Sequence, residues 1–260
     1  FAVGSSMTRT SYGQPIPEGK VIIHNVESIE DINKDFSVDV GLPGDSKLTL
    51  RAMIYEISAQ IGENGRKGQT KVSAEIAEIR KQWMAEWTPV LKSDEVPINP
   101  YRIIWDLMHN VDRRETIVTH DAGSPRDQIV PFWETVAPRT YMGWGKSTQL
   151  GHGLGLIMGA KLAEPDKLCI NIMGDAAIGM VGMDIETASR NRIPILTIVF
   201  NNGVMAAERD SMTVADDKFG ALAQGGNYAE VARALGVAGI RVETPDAFEP
   251  ALKSAMAATD

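Results

Sequence analysis

The chain has 260 residues, of which 43% are hydrophobic and 23% charged, and this composition is ordinary for a globular protein. Its length is sufficient for one large domain or for parts of two. The formal net charge of −8 argues against general nucleic-acid binding and against an anionic membrane surface, because a polyanionic partner would be repelled at long range.

Three features of the sequence indicate the cellular environment and the extent of the chain. These are its cysteine content, its apolar runs and its two ends. Cys169 is the only cysteine, so no internal disulfide forms and we expect a reducing, cytoplasmic location. Its position in an apolar run is typical of a small buried side chain. The longest apolar runs are shorter than the roughly 18 residues of a membrane span, so we expect no membrane partner. Phe1 is not methionine and Asp260 directly follows a helical pattern, so we expect a fragment of a longer polypeptide.

Residues 1–95 contain two short β-rich runs and then a long helical pattern. The runs, at residues 1–4 and 20–26, are separated by a connection rich in glycine and proline, and they suit the closing strands of a small α/β unit. Residues 47–91 are mostly helical in pattern, interrupted by glycines and asparagine at residues 62–68. We predict the last helix of a domain followed by a helical linker.

A new domain is predicted to begin at about residue 96. Asn99 suits a helix N-cap and Pro100 suits the first helical position. Trp83 and Trp87, which precede this point, lie one helical turn apart. We interpret them as a packed face of the linker rather than as a stacking platform.

Beyond residue 110, apolar strands alternate with helical patterns. The predicted strands are residues 116–120, 168–173, 193–200 and 239–243. The predicted helices begin near Gln149, cover residues 183–190 and 227–236, and follow Thr244 and Pro245. Continuous apolar strands between helices are typical of a parallel sheet covered on both faces. We therefore predict an α/β fold with a doubly wound parallel sheet.

Two polar segments follow neighbouring predicted strands. Asp175 follows one strand in the stretch "MGDAAIG", and Asn201 and Asn202 follow the next in "IVFNNG". Ligands of such sheets lie beyond the carboxyl ends of the strands. Asp175 and Asn202 are 27 positions apart, close to the roughly 30 residues of one βαβ unit. The spacing predicts that their side-chain oxygens lie close together.

A carboxylate with neutral oxygens is a donor set typical of Mg²⁺, which completes its coordination with water and with substrate phosphates. Small residues around Asp175 would let the backbone approach a diphosphate, and the helix that follows would offer free N–H groups. These features predict a phosphate bound through magnesium. The alternative is that Asp175 caps a helix and residues 201–203 form a tight turn.

The stretch from Gly174 to Gly203 resembles the thiamine diphosphate fingerprint, in which Gly-Asp-Gly is followed after a fixed span by Asn-Asn. This fingerprint is found in acetolactate synthase, 2-hydroxyacyl-CoA lyase, oxalyl-CoA decarboxylase and pyruvate decarboxylase. The resemblance implies that residues 1–50 are the C-terminal part of a smaller Rossmann-like central domain. It implies that residues 51–95 are a helical linker, and that residues 96–260 are the thiamine diphosphate-binding domain without its last strand.

The resemblance also implies roles for individual residues. The implied magnesium ligands are Asp175, Asn202 and the backbone carbonyl of Val204. The implied main-chain contacts to the diphosphate are Gly174, Ala176, Ala177 and a second turn at Gly123 and Ser124. Leu150 matches the bulky apolar residue that holds the cofactor bent, and Met205 lies in the segment that passes over its thiazolium ring. Ala176 departs from the family, which has glycine there, and alanine fits only with a negative φ.

In this family the bent cofactor becomes a nucleophile that attacks a carbonyl and then accepts electrons while a carbon–carbon bond breaks. The implied substrate is a small 2-oxo acid or an acyl-CoA, and the implied assembly is a homodimer or homotetramer with the cofactor between subunits. The activating glutamate belongs to an N-terminal domain that no part of this chain matches, so no catalytic residue is assigned. Relatives bind FAD or ADP in the central domain, but residues 4–13 do not match the flavin-contacting pattern closely, and FAD stays open.

Two glycine-rich stretches resemble other nucleotide motifs only in part. The stretch "GWGKST" has Thr140 where a P-loop requires glycine five positions before Gly145. The stretch "GHGLGLI" has Leu156 where the dinucleotide pattern requires its third glycine. We interpret the glycines at 151, 153 and 155 as sites of helix packing against the sheet.

The four histidines are scattered, without metal-binding spacing. His120 and His152 are predicted near strand and helix edges that face the cofactor. Each is interpreted as a structural histidine or as a contact to substrate.

Three functions remain open from the sequence. The first is an acetolactate-synthase-like enzyme acting on a 2-oxo acid. The second is a 2-hydroxyacyl-CoA lyase or an oxalyl-CoA decarboxylase-like enzyme, because "HDAGSP" resembles the corresponding turn of those enzymes about as well. The third is a non-catalytic subunit that binds magnesium and the cofactor.

Overall fold

In the computed structural model, the described residues are 1–9, 16–63, 65, 69–143 and 149–258. The chain forms two compact units, Phe1–Arg80 and Lys81–Asp260, whose boundary falls within the predicted linker. The assignment of domains to residues 1–50, 51–95 and 96–260 stays a prediction. Three interpretations concern residues that lie wholly or partly outside the described residues: the flavin comparison at 4–13, the interruption at 62–68 and the P-loop comparison at 145–147.

The first unit contains a three-stranded parallel sheet in the order β1-β2-β3. Its elements are β1 (Ala2–Val3), β2 (Ile23–Val26), β3 (Val40–Pro43) and α1 (Ser46–Ile61). The predicted runs correspond to β1 and β2, whereas β3 was not predicted, because its glycine and proline obscure the strand pattern. It is a strand because its backbone pairs with β2, with Ile23 opposite Val40. Asp45 caps α1 by accepting a hydrogen bond from the Leu48 amide at 2.8 Å.

A long helix, α2 (Gln69–Leu91), crosses the boundary between the units. The strands of the second unit are β4 (Thr116–His120), β5 (Tyr141–Met142), β6 (Leu168–Gly174) and β7 (Leu196–Phe200). Its other helices are α3 (Pro100–Asn110), α4 (Ser124–Ile129), α5 (His152–Ala163), α6 (Asp175–Val181), α7 (Asp184–Arg190), α8 (Thr213–Phe219), α9 (Tyr228–Ala234) and α10 (Pro245–Ala257).

The four strands of the second unit form a parallel sheet in the order β5-β4-β6-β7. Alternate residues of β6 enter separate apolar clusters. Ile170 and Ile172 join a cluster with residues of α3, α4 and α10, whereas Cys169 packs with residues of α5. Because successive side chains of a strand point to opposite faces, helices cover both faces of this sheet. The predicted doubly wound parallel α/β fold is confirmed.

Local signals before the sheet are also confirmed. The Asn99 side chain accepts a hydrogen bond from the Tyr101 amide at 3.1 Å, and Pro100 is the first residue of α3. The ring of Trp83 stacks on Phe132 with centroids 4.8 Å apart, and the ring of Trp87 lies 5.1 Å from the same residue. Both tryptophans are partly buried and pack against the apolar core, which agrees with the predicted packed face.

The structure corrects two local predictions and adds elements that were not predicted. Residues 239–243 form no strand in the part of the chain that the structure describes, because no neighbouring backbone pairs with them. The helix predicted from about Gln149 begins at His152. Helix α4 and strand β5 were not predicted, since both are too short to produce a hydrophobic period.

Over the described residues, the structure contains no helix of the length and apolar character that crossing a membrane requires.

Candidate functional site

The register of the sheet brings the two predicted polar segments to one edge. Gly174 at the end of β6 pairs with Phe200 at the end of β7. The residues that follow, Asp175 and Asn201, therefore leave the sheet side by side. Because both strands are parallel, this edge is the carboxyl edge, where ligands of such sheets bind.

The Asp175 carboxylate joins the two segments directly. Its side chain is buried, with 2% of its surface exposed. One carboxylate oxygen, Oδ2, accepts a hydrogen bond from the Gly203 amide at 2.6 Å, and the other, Oδ1, accepts one from the Ala176 amide at 2.9 Å. Gly203 has a φ of +74°, a conformation that favours glycine. The carboxylate thus holds the turn that follows β7 against the start of α6.

The two asparagines after β7 make different contacts. The Asn201 amide group donates to the Gly226 carbonyl at 3.4 Å. The Asn202 side-chain oxygen accepts from the Val204 amide at 3.1 Å, which forms a local turn. The Val204 carbonyl accepts from the Ala206 amide at 2.9 Å. Both residues after β7 are exposed, so the polar pair ends the strand without being buried in the apolar core.

Helix α6 explains how alanine replaces the glycine of the family pattern. Ala176 is the second residue of α6, and the helical backbone has a negative φ. The condition for tolerating alanine is therefore met. The helix contains only seven residues, Asp175–Val181, so its macrodipole is smaller than that of a long helix.

The turn at Gly123 and Ser124 lies against the start of the Asp175 segment. Gly123 has a φ of +81° and precedes the first residue of α4. A Cβ atom added to Gly174 would lie 3.8 Å from the Pro125 ring, which is ordinary van der Waals contact. The two turns for which diphosphate contacts are predicted are thus neighbours.

Leu150 also lies beside this segment. It is half-buried and packs against a cluster formed by Leu154, Met173, Ala177 and Ile178. The next residue, Gly151, has a φ of +92°, and an added Cβ would lie 2.4 Å from a methyl carbon of Val181. The turn before α5 therefore fits closely onto α6.

The sequence interpretation missed Asp121 and Tyr228. Asp121 is fully buried, and its carboxylate accepts hydrogen bonds from the amides of Ala122, Gly151 and Gly153 at 2.8, 2.8 and 3.0 Å. An acidic residue directly after the apolar strand β4, at the same sheet edge as Asp175, was the available signal. Tyr228 packs against the same apolar cluster as Leu150. Burial raises the pKa of Tyr228, and the negative charge of Asp175 raises it further. No local pattern indicated Tyr228.

The glycines before and within α5 differ in what they pack against. An added Cβ at Gly153 would lie 2.4 Å from the side-chain oxygen of Asn171 on β6, so the predicted helix-to-sheet packing is confirmed there. Gly151 contacts α6 rather than the sheet. An added Cβ at Gly155 would meet nothing within 4 Å among the described residues, so that interpretation is wrong for Gly155.

The two histidines near this edge have different environments. His120 is 4% exposed and its ring lies 5.6 Å from that of Tyr141, whereas His152 is exposed at the first turn of α5. Burial lowers the pKa of His120 and raises that of Tyr141 to about 12. The lowered pKa favours the neutral form of the His120 ring, and its role as a structural histidine or a substrate contact stays a prediction.

The environment of His120 predicts an acid-sensitive contribution to stability. Because its pKa is lowered in the folded chain, the unfolded chain binds more protons below the ordinary histidine pKa of about 6.5. The free energy of unfolding should therefore fall as the pH falls through that value. His120→Asn should flatten this fall between pH 7.5 and 5.5 in urea titrations, and the exposed control His152→Asn should not. An equal fall in all three proteins would contradict the prediction.

The predicted magnesium ligands differ from a cluster of acidic or histidine side chains. The described residues contain no group of three or more histidine, cysteine, aspartate or glutamate side chains suited to a metal ion. The predicted set of Asp175, Asn202 and the Val204 carbonyl has one carboxylate and two neutral oxygens, so it is a different kind of site.

The chain is similar to known proteins over most of its length. It is 27% identical over 249 residues to the probable acetolactate synthase large subunit of Methanococcus aeolicus, covering 90% of this chain and 41% of that protein. It is 30% identical over 222 residues to the acetolactate synthase large subunit IlvG of Mycobacterium tuberculosis, covering 85% of this chain and 39% of that protein. It is 29% identical over 242 residues to the 2-hydroxyacyl-CoA lyase of Oryza sativa, covering 84% of this chain and 39% of that protein.

The chain thus spans well under half the length of these relatives. Residues 121–260 match the model of the C-terminal cofactor-binding domain of thiamine pyrophosphate enzymes. The matched region begins at Asp121 and includes Leu150, Asp175 and Asn202. More than half of the chain lies in this match, and the chain belongs to the family of thiamine pyrophosphate enzymes.

Proposed function

We propose that the carboxyl edge of the second sheet binds the diphosphate of thiamine diphosphate through Mg²⁺. The observation that carries this proposal is the buried Asp175 carboxylate, hydrogen-bonded to Gly203 directly after Asn202 within the family match. The proposed metal ligands are Asp175, Asn202 and the carbonyl of Val204. Calorimetric titration with thiamine diphosphate should give binding in MgCl₂ that disappears with excess EDTA.

The donor atoms present fit this ligand. The oxygens of Asp175, Asn202 and Val204 accept backbone hydrogen bonds from the protein. A carboxylate oxygen and a carbonyl oxygen each have further acceptor capacity, which is available to a cation. One negative charge with neutral oxygens also matches the preference of Mg²⁺ for few protein carboxylates and additional phosphate ligands.

The backbone around these donors fits a diphosphate. Gly174 and Gly123 have no side chain at the neighbouring turns, and a Cβ at Gly123 would meet nothing within 4 Å among the described residues. The proposed main-chain contacts to the diphosphate are those of Gly123, Ser124, Gly174, Ala176 and Ala177. When bound, thiamine diphosphate supplies a nucleophilic carbon and an electron sink for breaking or forming a carbon–carbon bond. Leu150 would support the bent cofactor, and Met205 would lie over its thiazolium ring.

The proposed reaction is cleavage or formation of a carbon–carbon bond on a 2-oxo acid, as in acetolactate synthase. Support comes from acetolactate synthases among the similar proteins, from both archaea and bacteria. We propose a cytoplasmic homodimer or homotetramer with the cofactor between subunits. An activating glutamate would come from a domain that this chain does not match. Binding of FAD by the first unit stays open.

The 2-hydroxyacyl-CoA lyase reaction is the second candidate, because a plant lyase is similar to this chain with nearly the same identity and coverage. An oxalyl-CoA decarboxylase-like reaction belongs to the same candidate. Steady-state turnover of pyruvate against turnover of a 2-hydroxyacyl-CoA distinguishes the first two. Absence of an activating glutamate from the full-length sequence would favour the third function, a non-catalytic subunit that binds magnesium and the cofactor.

Leu150→Ala tests the role of the apolar residue before α5. The shorter side chain should leave the metal ligands in place and so change cofactor affinity by no more than about threefold. It should slow exchange of the cofactor C2 proton by about tenfold or more, because the reacting groups are no longer held in register. Proton NMR measures this exchange. The control is Leu162→Ala near the end of α5, the helix that follows Leu150, because the Leu162 side chain is 68% exposed. Normal exchange in Leu150→Ala would refute the role.

A further inference from the structure

Asp121 is a buried charge at the carboxyl edge that the proposed metal and diphosphate contacts do not use. None of its surface is exposed. Both of its carboxylate oxygens accept hydrogen bonds, Oδ1 from Ala122 and Gly151 and Oδ2 from Gly153. Burying a carboxylate is destabilising unless such donors compensate it. The three N–H groups therefore stabilise Asp121 at this position, and their own placement depends on it.

The three donors belong to two separate segments. Ala122 directly precedes the Gly123 turn, whereas Gly151 and Gly153 lie on either side of the first residue of α5. Helix α5 has no side-chain cap of its own, because its N-cap residue is Gly151. Asp121 therefore supplies, from the end of β4, the negative charge and the acceptors that the start of this helix lacks.

The backbone of this turn is shaped to reach the carboxylate. Gly151 has a φ of +92°, and its α-carbon faces Val181 closely. A Cβ at Gly153 would lie 3.2 Å from Asp121 Oδ2 and 2.4 Å from the oxygen of Asn171. Only glycine permits this approach at both positions without displacement. The carboxylate and the glycines together hold the residue before them, Leu150, against α6.

We infer that Asp121 is a positioning residue, which holds the Leu150 turn in the orientation that the cofactor site requires. This inference rests on the proposed function. The Asp121 side chain accepts its hydrogen bonds from Ala122, Gly151 and Gly153, which are not among the proposed metal ligands or diphosphate contacts, and it acts through the amides of Gly151 and Gly153. The role requires both carboxylate oxygens, because together they accept hydrogen bonds from three N–H groups.

Asp121→Asn tests this role with little change of volume. The amide has one acceptor oxygen, so its NH₂ group would face a backbone N–H and at least one of the three hydrogen bonds would be lost. Amide hydrogen exchange at Gly151 and Gly153 should accelerate by about tenfold, the effect of losing one hydrogen bond of ordinary strength. Cofactor affinity in Mg²⁺ should change little, whereas exchange of the cofactor C2 proton should slow by about tenfold.

A double-mutant comparison separates positioning from general destabilisation. In the Leu150→Ala background, Asp121→Asn should slow C2 proton exchange by no more than about twofold further, because both changes act through one side chain. The matched control is Thr116→Val, which removes a buried hydroxyl donating to the Asp112 carbonyl at 2.7 Å at the opposite end of β4. It should lower the Tm without altering C2 proton exchange.

The outcomes that overturn the inference are distinct from failure of the proposed function. The role of Asp121 alone would be overturned if Asp121→Asn left amide exchange at Gly151 and Gly153 unchanged. It would also be overturned if the slowing of C2 proton exchange in the double variant equalled the product of the slowing in the two single variants. Absence of thiamine diphosphate binding by the unsubstituted chain in Mg²⁺ would overturn the proposed function, and this role with it.

Discussion

Asp175→Asn is expected to weaken Mg²⁺-dependent binding of thiamine diphosphate by at least about 100-fold, since loss of even an indirect metal partner costs 10- to 100-fold. The substitution removes the only carboxylate among the proposed ligands and keeps the shape of the side chain. Calorimetry with thiamine diphosphate in MgCl₂ measures the affinity. The asparagine variant is preferable to alanine because Asp175 is buried and bonded to Gly203, so alanine would also free that turn.

The burial of Asp175 determines which substitution can test the metal site. A position at the exposed end of a strand would let Asp175→Ala leave the fold intact, but the carboxylate is 2% exposed and joins two segments. The thermal midpoint should therefore be recorded with each affinity. Asp184→Asn is the matched control, because Asp184 is exposed at the first residue of the next helix. Equal affinities for Asp175→Asn and the unsubstituted chain would rule out the metal assignment.

Gly153→Ala is expected to lower the free energy of unfolding by about 2 to 3 kcal/mol, as overpacking of a close-packed interior does. The added Cβ would lie 2.4 Å from Asn171 Oδ1 and 3.2 Å from both Asp121 Oδ2 and the His120 carbonyl. Asn171 and Asp121 are fully buried and hydrogen-bonded, so neither can move aside without breaking contacts. Urea denaturation measures the change.

Gly159→Ala on the same helix is the matched control. An added Cβ there would meet nothing within 4 Å among the described residues, and alanine has the higher helix propensity. This variant should gain about 0.5 to 1 kcal/mol of stability. If Gly153→Ala were as stable as Gly159→Ala, the close approach of α5 to the sheet would be refuted.

Several elements could be predicted because their signals are local. Strands β4, β6 and β7 each carry a short apolar run between helical patterns, which is typical of a strand covered on both faces. Asn99 and Pro100 mark a helix start through side-chain and backbone chemistry of adjacent residues. The spacing of Asp175 and Asn202 reflects the length of one βαβ unit, so their meeting at one edge followed from the order of elements.

Other elements depend on partners that are distant in the chain. Strand β3 exists through its pairing with β2, and residues 239–243 have strand-like composition without a paired neighbour among the described residues. Hydrogen bonds between strands join residues far apart in sequence, and no local pattern encodes them. The same limit applies to side chains: the sequence did not indicate that Asp121 receives N–H groups from 30 and 32 positions away.

The sequence by itself determined the doubly wound α/β class, the family and the pair of polar segments, because apolar periodicity and motif spacing are properties of short stretches. Only the tertiary structure decided that Asp175 is buried against Gly203, that Leu150 packs on α6, and that Asp121 holds the start of α5. Each of these depends on backbone groups that folding brings within hydrogen-bonding or van der Waals distance, and the environment of a side chain is set by those neighbours rather than by its own residue type.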